Sequence, residues 1–306
     1  MPESLRAPLW NEPSMGQIWA GDNVAVMREL ATSKPCSVTL AYLDPPYLTQ
    51  RSFETSARAK GGVSLAFDDH WGSRAEYLQC LAERLVAVKN LLAPWGSVVI
   101  HVDSKTSHYV RVLADEIFGE DNFASEIIWR YRRWPAKQPN FQRVHDCLLR
   151  YRKDMSVAGR WNQLYEPLAA STRATWGDRK QLAQFDGEGK RVRSTSTSAP
   201  SLGVPMGDVW DIGVIAPVAK ERTGYPTQKP EALMDRLVTS LTNPGDLVLD
   251  PYAGSGTTLA VAARLFRPFW GIDQSEVALA TATTRLSALS TALAAPASER
   301  RLRKAV

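Results

Sequence analysis

Cysteine, histidine and long apolar runs are all scarce in this chain. Its 306 residues hold three cysteines, Cys36, Cys80 and Cys147, widely spaced and without a CxxC pair. That argues against a disulfide framework or a thiolate metal cage and fits a reduced, cytoplasmic setting. The four histidines, His70, His101, His108 and His145, have no ligand-like spacing. The sequence therefore predicts no metal and reads each histidine as singly buried. No apolar run approaches the ~20 residues that span a bilayer, and the N-terminal stretch MPESLRAPLWNEPSMG lacks an export-signal core. No repeat of solenoid period is present. The expectation is a non-membrane globular protein.

What is there is ordinary in amount and uneven in place. The chain is 44% hydrophobic and 23% charged, enough for one large domain or two smaller ones. The formal net charge is +5, which is compatible with a polyanionic partner without requiring one. Much of it lies in WRYRRWPAKQPNFQRVHDCLLRYRK, residues 129–153. There Arg130, Arg132, Arg133, Lys137 and Arg143 alternate with Trp129, Tyr131, Trp134 and Phe141. Cations attract phosphates and aromatic faces stack on bases; the same stretch also reads as a solvated basic face.

Strand and helix patterns alternate. Gln17–Ala20 reads as a strand ending at Gly21-Asp22, followed by an amphipathic helix carrying Val24, Met27 and Leu30, with Asn23 as its cap. Val38–Leu43 is a buried strand stopped by Asp44-Pro45-Pro46. Residues 49–73 show no period and read as a loop; 74–92 are helical, Ser97–Val102 is a strand, about 105–118 a helix, and Cys147–Tyr151 a strand. Residues 154–222 lose the pattern and read as an inserted module, with Trp161, Tyr165, Trp176, Phe185 and Trp210 as material for a small core. Order returns with a helix over 230–241, a strand over 246–250, a glycine-containing loop, a helix over 259–265, a strand over 268–272 and a last helix over 275–294. This alternation predicts an α/β fold with a mostly parallel sheet.

Two strand ends carry chemistry. After Leu247–Asp250 comes Pro251-Tyr252-Ala253-Gly254-Ser255-Gly256-Thr257-Thr258, then a helix, a strand and Asp273. Strand, glycine loop, helix, strand, acid is half of a nucleotide-binding unit, in which the acid can hold a ribose. It is neither GxGxxG nor a P-loop, so a phosphate ligand is disfavoured. After Val38–Leu43 comes Asp44-Pro45-Pro46-Tyr47. A carboxylate and a carbonyl held by stiff prolines can accept both hydrogens of an amino group, and the tyrosine ring can stack on a planar base. Taken alone, each of these loops is also just a turn.

Together, Asp44-Pro45-Pro46-Tyr47, Gln228-Lys229-Pro230 and Asp250-Pro251-Tyr252-Ala253-Gly254-Ser255-Gly256-Thr257 resemble the DNA amino-methyltransferases, with the motif order of their beta class. The resemblance covers about residues 17–153 and 223–290. It implies a Rossmann-like, mostly parallel twisted sheet with helices on both faces and a circularly rearranged motif order. Residues 1–153 would be the catalytic half, 154–222 the target-recognition insert and 223–306 the cofactor-binding half.

The same resemblance implies S-adenosylmethionine as cofactor, held by Asp22, Lys229, Asp250, Tyr252, Gly254, Ser255, Gly256, Thr257 and Asp273, with Asp44 at its reactive end. Asp44, Pro45, Pro46 and Tyr47 would be catalytic, and His145, Arg130, Arg132, Arg133 and Lys137 would face the target base or DNA. The implied partner is double-stranded DNA, with a cognate restriction endonuclease and a homodimer as further expectations. The implied reaction is methylation of a flipped-out base amino group. Asp-Pro-Pro-Tyr leans towards adenine N6 over cytosine N4. A non-catalytic nucleic-acid-binding relative and an RNA or protein methyltransferase are the alternatives.

Overall fold

The computed structural model describes residues 7–13, 15–55, 63–135, 137, 139–192 and 197–294. Gly61-Gly62, residues 193–196 of the Ser/Thr-rich stretch and the basic tail beyond 294 lie outside them. The described chain divides into two compact units, one of residues 1–161 with 208–306, the other Asn162–Gly207.

The first unit is built on a nine-stranded sheet. Its strands, in chain order, are β1 (Trp10–Glu12), β2 (Gly16–Ala20), β3 (Val38–Leu43), β4 (Leu92–Asp103), β5 (Phe123–Arg130), β6 (His145–Arg152), β7 (Val209–Asp211), β8 (Leu247–Asp250) and β9 (Phe269–Asp273). They lie in the order β1-β2-β9-β8-β3-β4-β6-β5-β7. Strands β2, β9, β8, β3 and β4 are parallel; β1 and β6 run against their neighbours, and β7 joins β5 in parallel.

Every residue of β3 is buried, as a strand covered on both faces requires. Two groups of helices supply that cover. Helices α1 (Asn23–Ser33), α2 (Arg74–Leu91) and α3 (Ser107–Phe118) pack in sequence, as do α4 (Glu231–Leu241), α5 (Thr257–Arg264) and α6 (Glu276–Ala294). Met27, Leu30, Leu81, Leu85, Val88 and Val110 meet Leu43, Val98 and Ile100 in the main core. Burying such side chains contributes roughly 1.5–3 kcal/mol each before the cost of ordering them.

The alternating pattern placed most elements within a few residues, and the differences have physical reasons. Asp22, not Asn23, caps α1: its carboxylate accepts from the Ala25 amide at 3.0 Å, while the Asn23 amide donates to the Pro251 carbonyl at 2.9 Å. Residues 49–73 are not all loop. Ser52–Glu54 and Leu65–Asp68 pair as an antiparallel hairpin, held by Phe53 stacked on Phe67 at 4.6 Å. Strands of three and four residues are too short to establish a period.

The aromatics expected to form a core in the insert do not form one. Trp210 is buried on β7, in the first unit, and the Trp176 side chain lies outside the description. Trp161, which ends the first unit's opening segment, is exposed, as are Tyr165 and Phe185. No described residue of Asn162–Gly207 is buried; the unit consists of short two-stranded ladders and the helix Ala170–Trp176. Its bounds are also narrower than 154–222, because Val209–Asp211 adds an edge strand to the main sheet.

Candidate active site

The five central parallel strands each run into an acid: Asp22 just beyond β2, Asp273 on β9, Asp250 on β8, Asp44 just beyond β3 and Asp103 on β4. Parallel strands put all five at one edge of the sheet, outside whose carboxyl ends α/β folds bind ligands. A cavity of about 510 Å³ opens there, a size suited to a nucleoside-sized ligand. Its walls include Asp22, Asp44, Pro45, Pro46, Tyr47, Lys229, Tyr252, Gly254 and Asp273 from the sequence-predicted set.

Asp250, Ser255, Gly256 and Thr257 lie behind that wall. The Asp250 carboxylate accepts from the Tyr252 amide at 3.0 Å, and the residue is 2% exposed. Burial pushes its carboxyl up to about 7, against the pull of Thr258 and the Tyr252 amide. The Ser255 and Thr257 hydroxyls meet at 3.2 Å, both buried. Gly256 stands at φ +71 as the N-cap of α5, where a Cβ would come 2.9 Å from that of Ala282. Only glycine fits this left-handed, crowded cap.

Asp273 supports the loop from the next strand. Its carboxylate accepts from the Gly254 amide at 2.8 Å and the Ser275 amide at 2.9 Å. Burial raises its carboxyl despite those hydrogen bonds. Gly254 has φ +50 and faces Tyr225, another cavity residue.

Asp44 is the partly open acid, its side chain 19% exposed. Tyr47 Oη donates to Oδ1 at 2.5 Å, and Lys229 Nζ pairs with Oδ2. Burial, and then the charge of Asp44, push the Tyr47 phenol well above its ordinary range, so it stays protonated. Lys229 also lies 5.4 Å from the Tyr47 ring centroid. Gln228 points the other way, its side chain bound to Thr223 and the Glu221 carbonyl.

The residues expected at DNA or the target base do not line the cavity. Arg130 pairs with Asp211 on β7. Arg132, Arg133 and Lys137 are exposed between β5 and β6, and His145 opens β6 opposite Arg130. The basic-aromatic stretch is split: Trp129, Tyr131 and Tyr151 are buried, and Trp134 and Phe141 stand exposed at 93% and 98%.

Several contributors escaped the sequence reading. The hairpin residues Phe53, Leu65 and Phe67 form one wall. Asp69, 1% exposed, accepts from the Tyr47, Leu48 and Thr49 amides, the Thr49 hydroxyl and Trp71 Nε1 at 2.6–3.2 Å, clamping the chain that follows Pro45 and Pro46. Its one sequence signal is an acid directly before His70-Trp71. His101, fully buried 3.8 Å from Asp44, could be read in the sequence only as one of four buried histidines, an expectation that fails for the exposed His70 and His108.

Comparison with known proteins identifies the family. The model of the DNA methylase family matches residues 38–284. The chain is 28% identical to the Type II methyltransferase M.EcaI of Enterobacter cloacae, over 88% of this chain and 69% of that one. It is 26% identical to the DNA adenine methyltransferase YhdJ of Escherichia coli (strain K12), over 83% and 76%. The structure of PvuII DNA methyltransferase (cytosine-N4-specific) superposes with a TM-score of 0.57 at 18% identity, covering 89% of this chain and 86% of that one. A strand-end Asp-Pro-Pro-Tyr and a strand-end glycine loop sharing one cavity, with a family match over most of the chain, place it in the DNA methylase family, the amino-methyltransferases that act with S-adenosylmethionine.

Proposed function

We propose that this enzyme methylates adenine N6 within a specific duplex DNA sequence, with Asp44 and the Pro45 carbonyl receiving the amino group and Tyr47 stacking on the flipped-out base. The observation that carries the proposal is the placement of Asp44 and Tyr47 in the same cavity as Gly254 and Asp273. S-adenosylmethionine supplies the electrophilic methyl group. The donor set fits it. Glycine at 254 leaves the loop open at Tyr225. Asp273 and Asp22 are acids at the ends of the next two strands, β9 and β2, for ribose and adenine, and Lys229 is a cation for the methionine carboxylate. Hydrogen bonds from the amino group to Asp44 and Pro45 favour a pyramidal nitrogen and strengthen as it attacks, which is the condition for catalysis.

Binding the base has a local cost, since the Tyr47 hydroxyl occupies Asp44 Oδ1. Tyr47 must release Asp44 as its ring turns to the base, and Lys229 remains to compensate the carboxylate. Arg132, Arg133 and Lys137, exposed on the β5–β6 connection at the same edge as the cavity, are assigned to the DNA backbone. Residues 154–222, including the unit Asn162–Gly207, are assigned to target recognition. In support, that unit exposes Arg173, Arg179, Lys190 and Arg191 and buries no described residue. Among the described residues no helix is long and apolar enough to cross a membrane.

Adenine is favoured by Tyr47 and by the likeness to a named adenine methyltransferase. Cytosine N4 is the second reading, favoured by the likeness to a cytosine-N4 enzyme. A cognate restriction endonuclease, suggested by the Type II relative, and a homodimer complete the proposal. Expression in a methylation-free host followed by modification-sensitive sequencing tests it. N6-methyladenine at one sequence motif is expected; N4-methylcytosine would select the second reading, and unmodified DNA would refute both.

A further inference from the structure

His101 belongs to no motif of the sequence, yet it stands between two carboxylates. It lies on β4, 0% exposed. Its Nδ1 is 2.7 Å from Tyr42 Oη and 3.8 Å from Asp44 Oδ1. Its Nε2 is 3.6 Å from Asp146 Oδ2 and has no hydrogen-bond partner among the described residues. A buried polar atom left unpaired costs roughly 1–3 kcal/mol, so an imidazole held this way calls for an explanation.

We infer that His101 is a buried acid–base relay that carries the proton released by methylation from Asp44 to Asp146. The inference rests on the reading of Asp44 as the acceptor of the amino hydrogen.

Forming the N–CH3 bond and breaking the S–CH3 bond leaves a positive amino nitrogen, which must then lose one hydrogen as a proton. Asp44 Oδ1 receives that proton and must give it up before the next turnover. Its other oxygen faces Lys229, a cation with no acceptor capacity. His101 Nδ1 is the basic atom facing Oδ1. Release of the Tyr47 hydroxyl, which base stacking requires, frees Asp44 to close the 3.8 Å gap. As Nδ1 gains the proton, Nε2–H passes its own to Asp146 Oδ2. From Asp146, whose Oδ1 accepts from Tyr131 Oη at 3.0 Å, the proton reaches solvent beside Arg133.

The groups around His101 suit this task. From β3, Tyr42 is held protonated by burial and then by the charge of Asp44, so its hydroxyl donates to Nδ1 in the resting site. That leaves the hydrogen on Nε2, pointing at Asp146. From β5, the Trp129 ring meets the imidazole edge-on at 5.5 Å. The Tyr47 ring covers it at 5.8 Å. From β6, burial by itself would raise the Asp146 carboxyl; contact with His101, the Lys229 charge and the Tyr131 hydroxyl outweigh burial and lower it. The relay thus ends on a carboxylate whose side chain is 12% exposed, against 0% for the imidazole.

Because His101 acts through Asp44, it is a positioning residue, and its test must go beyond loss of activity. Transfer of tritiated methyl groups from S-adenosylmethionine to plasmid DNA from a methylation-free host is followed over many turnovers, which require Asp44 to be cleared each time, and in a single turnover, which does not. His101→Gln is expected to slow repeated turnover about 10–100-fold, with the single-turnover rate and the dissociation constants for cofactor and plasmid within twofold of wild type. Asp146→Asn provides a second variant at the less enclosed end of the relay, should His101→Gln fold poorly. It is expected to lose as much, and the double variant no more than either single, because both interrupt one path. Wild-type repeated turnover in either single variant, or losses that multiply in the double, overturn the relay. Asp44→Asn separates the two readings: wild-type transfer by it refutes Asp44 as acceptor, whereas an inactive Asp44→Asn beside a fully active His101→Gln refutes the relay alone.

Discussion

Two loops leave adjacent strands with the same opening, Asp44-Pro45 after β3 and Asp250-Pro251 after β8, and their acids end in opposite circumstances. Asp44 keeps one oxygen on Lys229 and the other on a hydroxyl that can move away. Asp250 is 2% exposed, has no cation beside it among the described residues, and is engaged by the Tyr252 amide of its own loop and by Thr258 in the first turn of α5. In the first loop the backbone is held from outside, by Asp69, so the carboxylate is free for a ligand. In the second the carboxylate is itself the brace. The identity of the residue is the same; the partners decide whether an acid does chemistry or holds the loop.

Exchanging the acid for its amide should separate the two most clearly at Asp44. Asp44→Asn keeps the shape but replaces one acceptor with a donor facing the incoming amino group. Methyl transfer should fall by at least about a thousandfold, or about 4 kcal/mol in the transition state. Cofactor affinity, measured by calorimetry, should stay within a few-fold. A residual rate above a tenth of wild type would erase the distinction.

Asp69 tests the external brace. Two residues in the strand of chain it clamps, Leu48 at φ +58 and Gln50 at φ +55, hold left-handed conformations that non-glycine residues rarely adopt. Asp69→Asn turns an NH2 group towards backbone amides that need an acceptor. Turnover should drop about 10–100-fold, and stability by about 2 kcal/mol, while cofactor binding at the glycine loop changes little. If turnover and cofactor affinity fall together, the two loops are braced as one unit.

The same contrast explains what could be read from the chain. Val38–Leu43 and Leu247–Asp250 announce themselves as apolar runs cut by Asp-Pro, because a doubly covered strand has no polar face to interrupt it. The acids at their ends and the glycine loop follow from those stops. The hairpin over Phe53 and Phe67 did not, since its strands are too short to show alternation. Nor did the fate of the aromatics: Trp129, Trp134 and Trp210 look alike in sequence, yet the first and last are buried and the middle one is 93% exposed. His101 was legible only as a buried histidine. Its position between Asp44 and Asp146 depends on β4 lying between β3 and β6, a matter of strand order that no local pattern encodes.

Asp250→Asn should have the smallest effect on methyl transfer, less than about tenfold, and its signature should appear in stability against pH. Burial raises the Asp250 carboxyl from 3.8 to about 7 in the folded chain. Between those values the native state holds a proton that the unfolded chain has lost. Stability from this group is therefore fully present below pH 3.8 and declines as pH rises to about 7, beyond which the folded chain carries a buried charge. The full span is on the order of 4 kcal/mol. Asparagine accepts the Tyr252 amide but does not titrate, so it removes this decline. Urea unfolding at a series of pH values from 4 upwards to about 8 should show the variant gaining on wild type as pH rises. A stability difference independent of pH would mean that Asp250 is ionised throughout and compensated like Asp44, and the two loops would then differ only in what they face.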